Sequence, residues 1–174
     1  MTGDGTGQVD LSGNAANDCG CLEPFNVFGQ PAYSPSRDTI ASRAIWTDPG
    51  GNLDVYVMDA DGSHVRRITR SPAVDAEADW SPDGSRVSYA SARDGDLEIY
   101  VRSADGGGPL LQLTRNTASD TQPDWSPDGG RIAFTSERDG NPENYVMRAD
   151  GSGQRNITND PSLDERPDWR PTGG

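Results

Sequence analysis

Three aspartates stand at one interval before three tryptophans: Asp75 before Trp80, Asp120 before Trp125 and Asp164 before Trp169, each five residues ahead. Two residues after each comes a polar side chain of changing character, Glu77, Gln122 and Arg166. Two Arg-Asp pairs recur beside them, Arg93-Asp94 and Arg138-Asp139. Carboxylates set in this way can grip cations or the donor groups of a partner. The structural reading is that each Asp caps its own turn or bonds the backbone of a neighbouring unit. Repetition favours the second reading, because features shared by every repeat mostly serve stacking. Adjacent Arg-Asp pairs in solvent would also contribute little.

Other chemistries fare worse. The one histidine, His64, sits in the turn DGSHV, and no G-x-S-x-G elbow accompanies it, so a serine triad is not expected. GDGTG at 3–7 resembles a phosphate loop, but it lacks the lysine and the chain contains none. Asp59-Ala60-Asp61-Gly62 begins like a calcium loop, yet Arg70 stands at the twelfth position, where that loop needs Glu. Cys19 and Cys21, one residue apart in DCGC, are poorly spaced for a mutual disulfide. With one distant His they do not make a zinc site. The expectation is a chain without catalytic residues, metal site or cofactor.

The elements that would position the carboxylates are written as a repeat. Trp80 to Trp125 is 45 residues and Trp125 to Trp169 is 44; Tyr33 takes the same place 47 residues before Trp80. SPDG at 81–84 recurs at 126–129, with SPSR at 34–37 as a worn copy. RDG (93–95, 138–140) and ADG (60–62, 104–106, 149–151) mark two further turns, and DPGG (48–51) stands in the first unit's RDG place. Gly and Asp suit such turns for backbone reasons. Between the turns RVSYAS (86–91) and RIAFTS (131–136) alternate in the manner of strands. LDVYV (53–57), LEIYV (97–101) and PENYV (142–146) form a second set, with Pro142 at a strand start. RRITR (66–70), LLQLT (110–114) and RNITN (155–159) close the units. Counting the strand that carries Trp, each unit holds four short strands, and no segment keeps a helical period.

Four antiparallel strands at this period predict an all-β chain of β-propeller blades. The expected units are 30–74, 75–119 and 120–163, then a first strand of a fourth at 164–170. A polar segment precedes them at 1–29, in which QVDL and FNVF are weak strands, and a tail follows at 171–174. The tryptophan is expected to be the wedge between blades. Loops from fourth to first strand, and from second to third, would share one face around the channel mouth. There Asp75, Asp120 and Asp164 would stand at equal angles.

The segment PDWSPDGGRIAFTSERDGNPENYVMRADGSGQRNIT (123–158), and less closely 78–114 and 32–69, resembles the TolB-type, WD-like propeller repeat. The likeness covers roughly 30–170. It implies a non-catalytic scaffold that holds a protein or peptide at an acidic mouth, and for TolB itself contact with a peptidoglycan-associated lipoprotein. Related repeats in prolyl oligopeptidase-type peptidases imply the alternatives, an accessory propeller that screens substrate or a purely structural array. TolB propellers have six blades and a preceding α/β domain; three blades here imply a piece of a longer ring, or two copies joined as a homodimer. A fourth blade completed by the N-terminal segment is the third route.

Composition bounds the partners. Fifteen arginines face 28 acidic residues, a net charge of −13, which repels nucleic acid and anionic lipid. No apolar run reaches 18 residues, so no membrane insertion is expected. The N-terminal residues lack a signal-peptide pattern, while the family resemblance implies a periplasmic or secreted place; a cytoplasmic one stays open.

Overall fold

The computed structural model describes residues 28–34, 38–45 and 52–169. The cysteines, QVDL, most of FNVF, the DPGG turn and the tail lie outside the described residues. Twelve strands form three four-stranded antiparallel sheets in sequential order. The first holds β1 (Phe28–Tyr33), β2 (Thr39–Ile45), β3 (Leu53–Asp59) and β4 (Arg66–Arg67). The second holds β5 (Asp75–Trp80), β6 (Arg86–Ser91), β7 (Glu98–Ser103) and β8 (Leu111–Gln112). The third holds β9 (Asp120–Trp125), β10 (Arg131–Ser136), β11 (Glu143–Arg148) and β12 (Arg155–Asn156). These are three propeller blades.

The second blade lies between two neighbours, and the middle strands of the second and third blades lose alternation. β6 and β10 have five consecutive buried residues, Val87–Ser91 and Ile132–Ser136. Trp80 packs with Ala41, Val55 and Val57 of the first blade, and Trp125 with Ala90, Ile99 and Val101 of the second. The wedge reading therefore holds for both indoles. Trp80 Nε1 donates to the Ala32 carbonyl at 3.0 Å, while Trp125 lies under the Arg86 guanidinium, 4.7 Å from its ring centroid.

Two expectations are corrected. The fourth strands are only two residues long, because Ile68, Leu113 and Ile157 turn inward to bond the third strand's carbonyls. The hydroxyls of Thr69, Thr114 and Thr158 then take the N–H of that same third-strand residue, Val55, Ile99 or Asn144, at 2.8–3.0 Å. A side chain thus ends each edge that backbone would otherwise extend. The second correction concerns residues 164–169, which follow an inner-strand path without ladder pairing, since no second strand stands beside them among the described residues. Side chains of the third blade hold them instead: Gln122 accepts from Arg166 N–H and Asp124 from Trp169 N–H, both at 2.9 Å, and Thr135 Oγ1 also accepts from Arg166 N–H at 3.2 Å.

Candidate functional site

The inner strands β5 and β9 do not run straight. Register slips between Ala76 and Asp79 and again within Asp120–Trp125, the mark of a bulge. The bulged residues Glu77 and Gln122 have φ of 55° and 53°, and Arg166 follows with 56°. A left-handed backbone at a side-chain-bearing residue costs about 1 kcal/mol or more. At Glu77 and Gln122 this backbone turns the side chain toward the inner-strand segment that follows. Glu77 Oε2 accepts from Gln122 N–H at 3.0 Å, and Gln122 Oε1 from Arg166 N–H. One step along, Asp79 accepts from Trp125 N–H at 2.8 Å. β9 and the 164–169 segment thus each find side-chain acceptors for their backbone N–H groups on the inner strand before them.

The mouth carboxylates lie below the rim. Asp75 and Asp120 are fully buried. Arg93 donates to Asp75 at 3.1 Å and Arg138 to Asp120 at 2.7 Å. Each guanidinium also sits over two rings of its own blade, Arg93 over Tyr89 and Tyr100, Arg138 over Phe134 and Tyr145. The expected local pairing of Arg93 with Asp94 and Arg138 with Asp139 is therefore replaced. A guanidinium has more to gain from a buried carboxylate than from an exposed one beside it. Asp94 instead accepts from Gln112, and Asp139 from the Tyr145 hydroxyl and Asn156. The hydroxyl bond and the amide hold Asp139 below the usual carboxylate range.

The two loop groups do meet on one face. Ala92 N–H bonds the Val74 carbonyl at 3.0 Å and Glu137 N–H the Ser119 carbonyl at 3.1 Å. Asp164 is half-buried in the corresponding place, with one carboxylate oxygen enclosed and without a donor. Between the bulges lies an open groove of about 360 Å³, lined by Glu77, Asp79, Gln122, Asp124, Arg166 and two prolines. Burial pushes Asp124 up to about 6, helped by repulsion from Asp79 and Asp168. Burial raises Asp79 as well.

Sequence reasoning did not single out the acids on the third strands. Asp54, Glu98 and Glu143 each stand two residues before a tyrosine (56, 100, 145), a spacing visible in the sequence. All three are buried. The Thr69 and Thr158 hydroxyls donate to Asp54 and Glu143, and Glu98 accepts from Asn116 N–H.

The His64 turn does not have the geometry of a serine triad. Ser63 and Asp59 both approach Nδ1 of His64, at 3.1 Å and 2.7 Å. A triad needs Ser and Asp on opposite nitrogens of the ring. Among the described residues no group of three or more His, Cys, Asp or Glu side chains is placed to hold a metal ion. No helix there is long and apolar enough to cross a membrane.

Comparison with known proteins agrees with the architecture. The family model for the TolB beta propeller domain matches residues 21–110 and 94–174. The Tol-Pal system protein TolB of Bordetella pertussis is 44% identical over 54 residues, covering 30% of this chain and 12% of that protein. The crystal structure of TolB from Acinetobacter baumannii superposes with a TM-score of 0.66 at 27% identity, covering 79% of this chain and 33% of the other. A puromycin hydrolase structure matches with a TM-score of 0.61 at 19% identity, over 78% of this chain and 22% of the hydrolase, a likeness of fold alone. The chain thus matches about an eighth of the length of the curated relatives and a third of the Acinetobacter structure.

Proposed function

The chain belongs to the TolB β-propeller domain family, and from that membership and its mouth groove we propose that it is a non-catalytic scaffold that holds a protein or peptide partner. One observation carries the reading: the bulge position breaks the symmetry that its neighbours keep. The Asp and Trp recur unchanged in all three copies, while Glu77, Gln122 and Arg166 present an acid, an amide and a base in two successive blades and the segment that follows them. Stacking needs only an acceptor there, so the change of chemistry is free to serve recognition. Arg166 is exposed, and its guanidinium has no bonded partner among the described residues. Asp94 and Asp139 form an exposed acidic rim nearby.

In this reading Asp75, Asp120, Asp164, Arg93 and Arg138 position the groove from below and do not touch the partner. The relatives' name places TolB in the Tol-Pal system; a protein partner in the periplasm is the reading carried over from them. A second copy completing a six-bladed ring remains a separate proposal, decided by solution mass.

The test pans a library of linear peptides on the full chain and measures affinity for the selected binders. Arg166→Glu and Glu77→Gln are the variants, since both leave the buried ion pairs in place. A loss of tenfold or more, about 1.4 kcal/mol, supports the groove. Unchanged affinity in both variants sinks it and moves attention to a substrate-screening or purely structural role.

A further inference from the structure

In the first two blades the third-strand acid meets the first-strand acid of the next. Asp54 and Asp75 repel one another between the first and second blades, and Glu98 touches Asp120 between the second and third. All four are fully buried. The two junctions differ in their cations. Arg67 pairs with Asp54 and Arg93 with Asp75, so two negative charges meet two positive ones. At the second junction Arg138 serves Asp120, but Gln112 occupies the place of Arg67. The register shows the equivalence: Arg67 stands opposite Tyr56 and Gln112 opposite Tyr100. Gln112 turns away to Asp94. Two buried carboxyls are left with one cation.

We infer that the missing charge is a proton, held by Glu98 and donated to Asp120 across the second interblade junction. Asp120 is the partner that collects the donors: its Oδ2 receives Arg138 at 2.7 Å and the Asn116 side-chain amide at 2.8 Å. Its Oδ1 is buried and has no donor in the hydrogen-bond network, so a Glu98 O–H completes it. Asp75 also has a bare buried oxygen; the count of arginines, not the oxygen alone, separates the junctions. The groups facing Glu98 are Asp120 from β9, Arg138 beyond it, Tyr100 on its own strand, and the neutral Thr114 and Asn116. Paired carboxyls in a dry site cannot both ionise, so one keeps its proton well above the usual range.

Burial, with Asp120 beside it, pushes Glu98 from 4.5 up to about 7. A folded value above the unfolded one means the folded state binds the proton more tightly. The junction is therefore fully stabilised below about pH 4.5, loses stability as pH rises to about 7, and is constant beyond. The proton makes this seam between blades a pH-responsive element; at the first junction burial raises Asp54 too, but Arg67 beside it acts against the rise.

Carbon-13 NMR of the Glu98 side-chain carboxyl in the full chain tests the assignment directly. A midpoint near 7 is expected; a midpoint below about 5, the ordinary range for Glu, overturns it. Glu98→Gln keeps the shape and donates an N–H in place of the O–H. It should remove a fall in melting temperature on the order of 5–10 °C between acid and neutral pH. An undiminished fall overturns the proposal. Gln112→Arg writes the first junction's cation into the second and should lower the Glu98 midpoint; a midpoint that stays put overturns the charge count.

Discussion

Equivalent residues lead opposite lives in the middle and at the ends of this arc. Trp80 and Trp125 are 3% and 5% exposed, while Tyr33, in the same place of the first blade, is 60% exposed. Ile68 and Leu113 are 1% and 7% exposed, and Ile157 is 49%. The side chains are of similar kind and the turns around them repeat, so the difference comes from position alone. A residue on a blade face is core only if another blade covers it. The unit that folds is thus the junction and not the blade, as expected for a repeat whose energy resides in neighbour contacts.

The largest effects should fall at covered junctions. Trp125→Ala should cost about 3–5 kcal/mol, and Tyr33→Ala well under 1 kcal/mol, read as the difference in urea midpoints of the two variants. A comparable loss at both would show that Tyr33 is covered in solution, as a second copy or a further blade would cover it. Next comes the buried pair: Arg138→Met strands Asp120 without its cation and should cost about 3–5 kcal/mol in the same assay, as breaking a buried ion pair does. Arg93→Met should behave alike. If either is silent, the paired aspartate has taken a proton, and a pH series of the variant will show it.

Leu113→Ala and Ile157→Ala sharpen the contrast at smaller scale. The first should lose about 2–4 kcal/mol; the second should stay within about 0.5 kcal/mol, the usual surface range.

Much of this was legible in the sequence. The 44–45-residue period, the turns and the middle strands follow from Gly, Pro and Asp punctuation between apolar runs, and RVSYAS and RIAFTS are β6 and β10 residue for residue. The family likeness followed from the same residues. What was not legible depended on distance. Whether Asp75 faces solvent or Arg93 is decided by a turn 18 residues away, and local adjacency pointed to Asp94 instead. The strained φ at Glu77 and Gln122 was hidden too, since neither Glu nor Gln announces a left-handed backbone as Gly does. Reading LLQLT as a full strand failed for a third reason. The Thr114 hydroxyl substitutes for a backbone acceptor and ends the ladder.

The finest contrast lies along the channel, between Asp124, which the groove desolvates, and the turn aspartate Asp128 four residues on. Serine and backbone donors hold Asp128 below the usual range, while burial and the charges of Asp79 and Asp168 lift Asp124 to about 6. The signs are opposite. Asp128 contributes stability above its unfolded value that is lost as pH falls, whereas the contribution of Asp124 is complete below pH 3.8 and declines as pH rises through about 6. Asp124→Asn keeps an oxygen for Trp169 N–H and removes the ionisation. It should flatten the stability profile between those two values and change little in acid, as melting scans at stepped pH would measure. A variant that instead destabilises equally at every pH, including acid where Asp124 is already neutral, would show that the geometry of the carboxyl, and not its ionisation, governs the hold on the next inner strand.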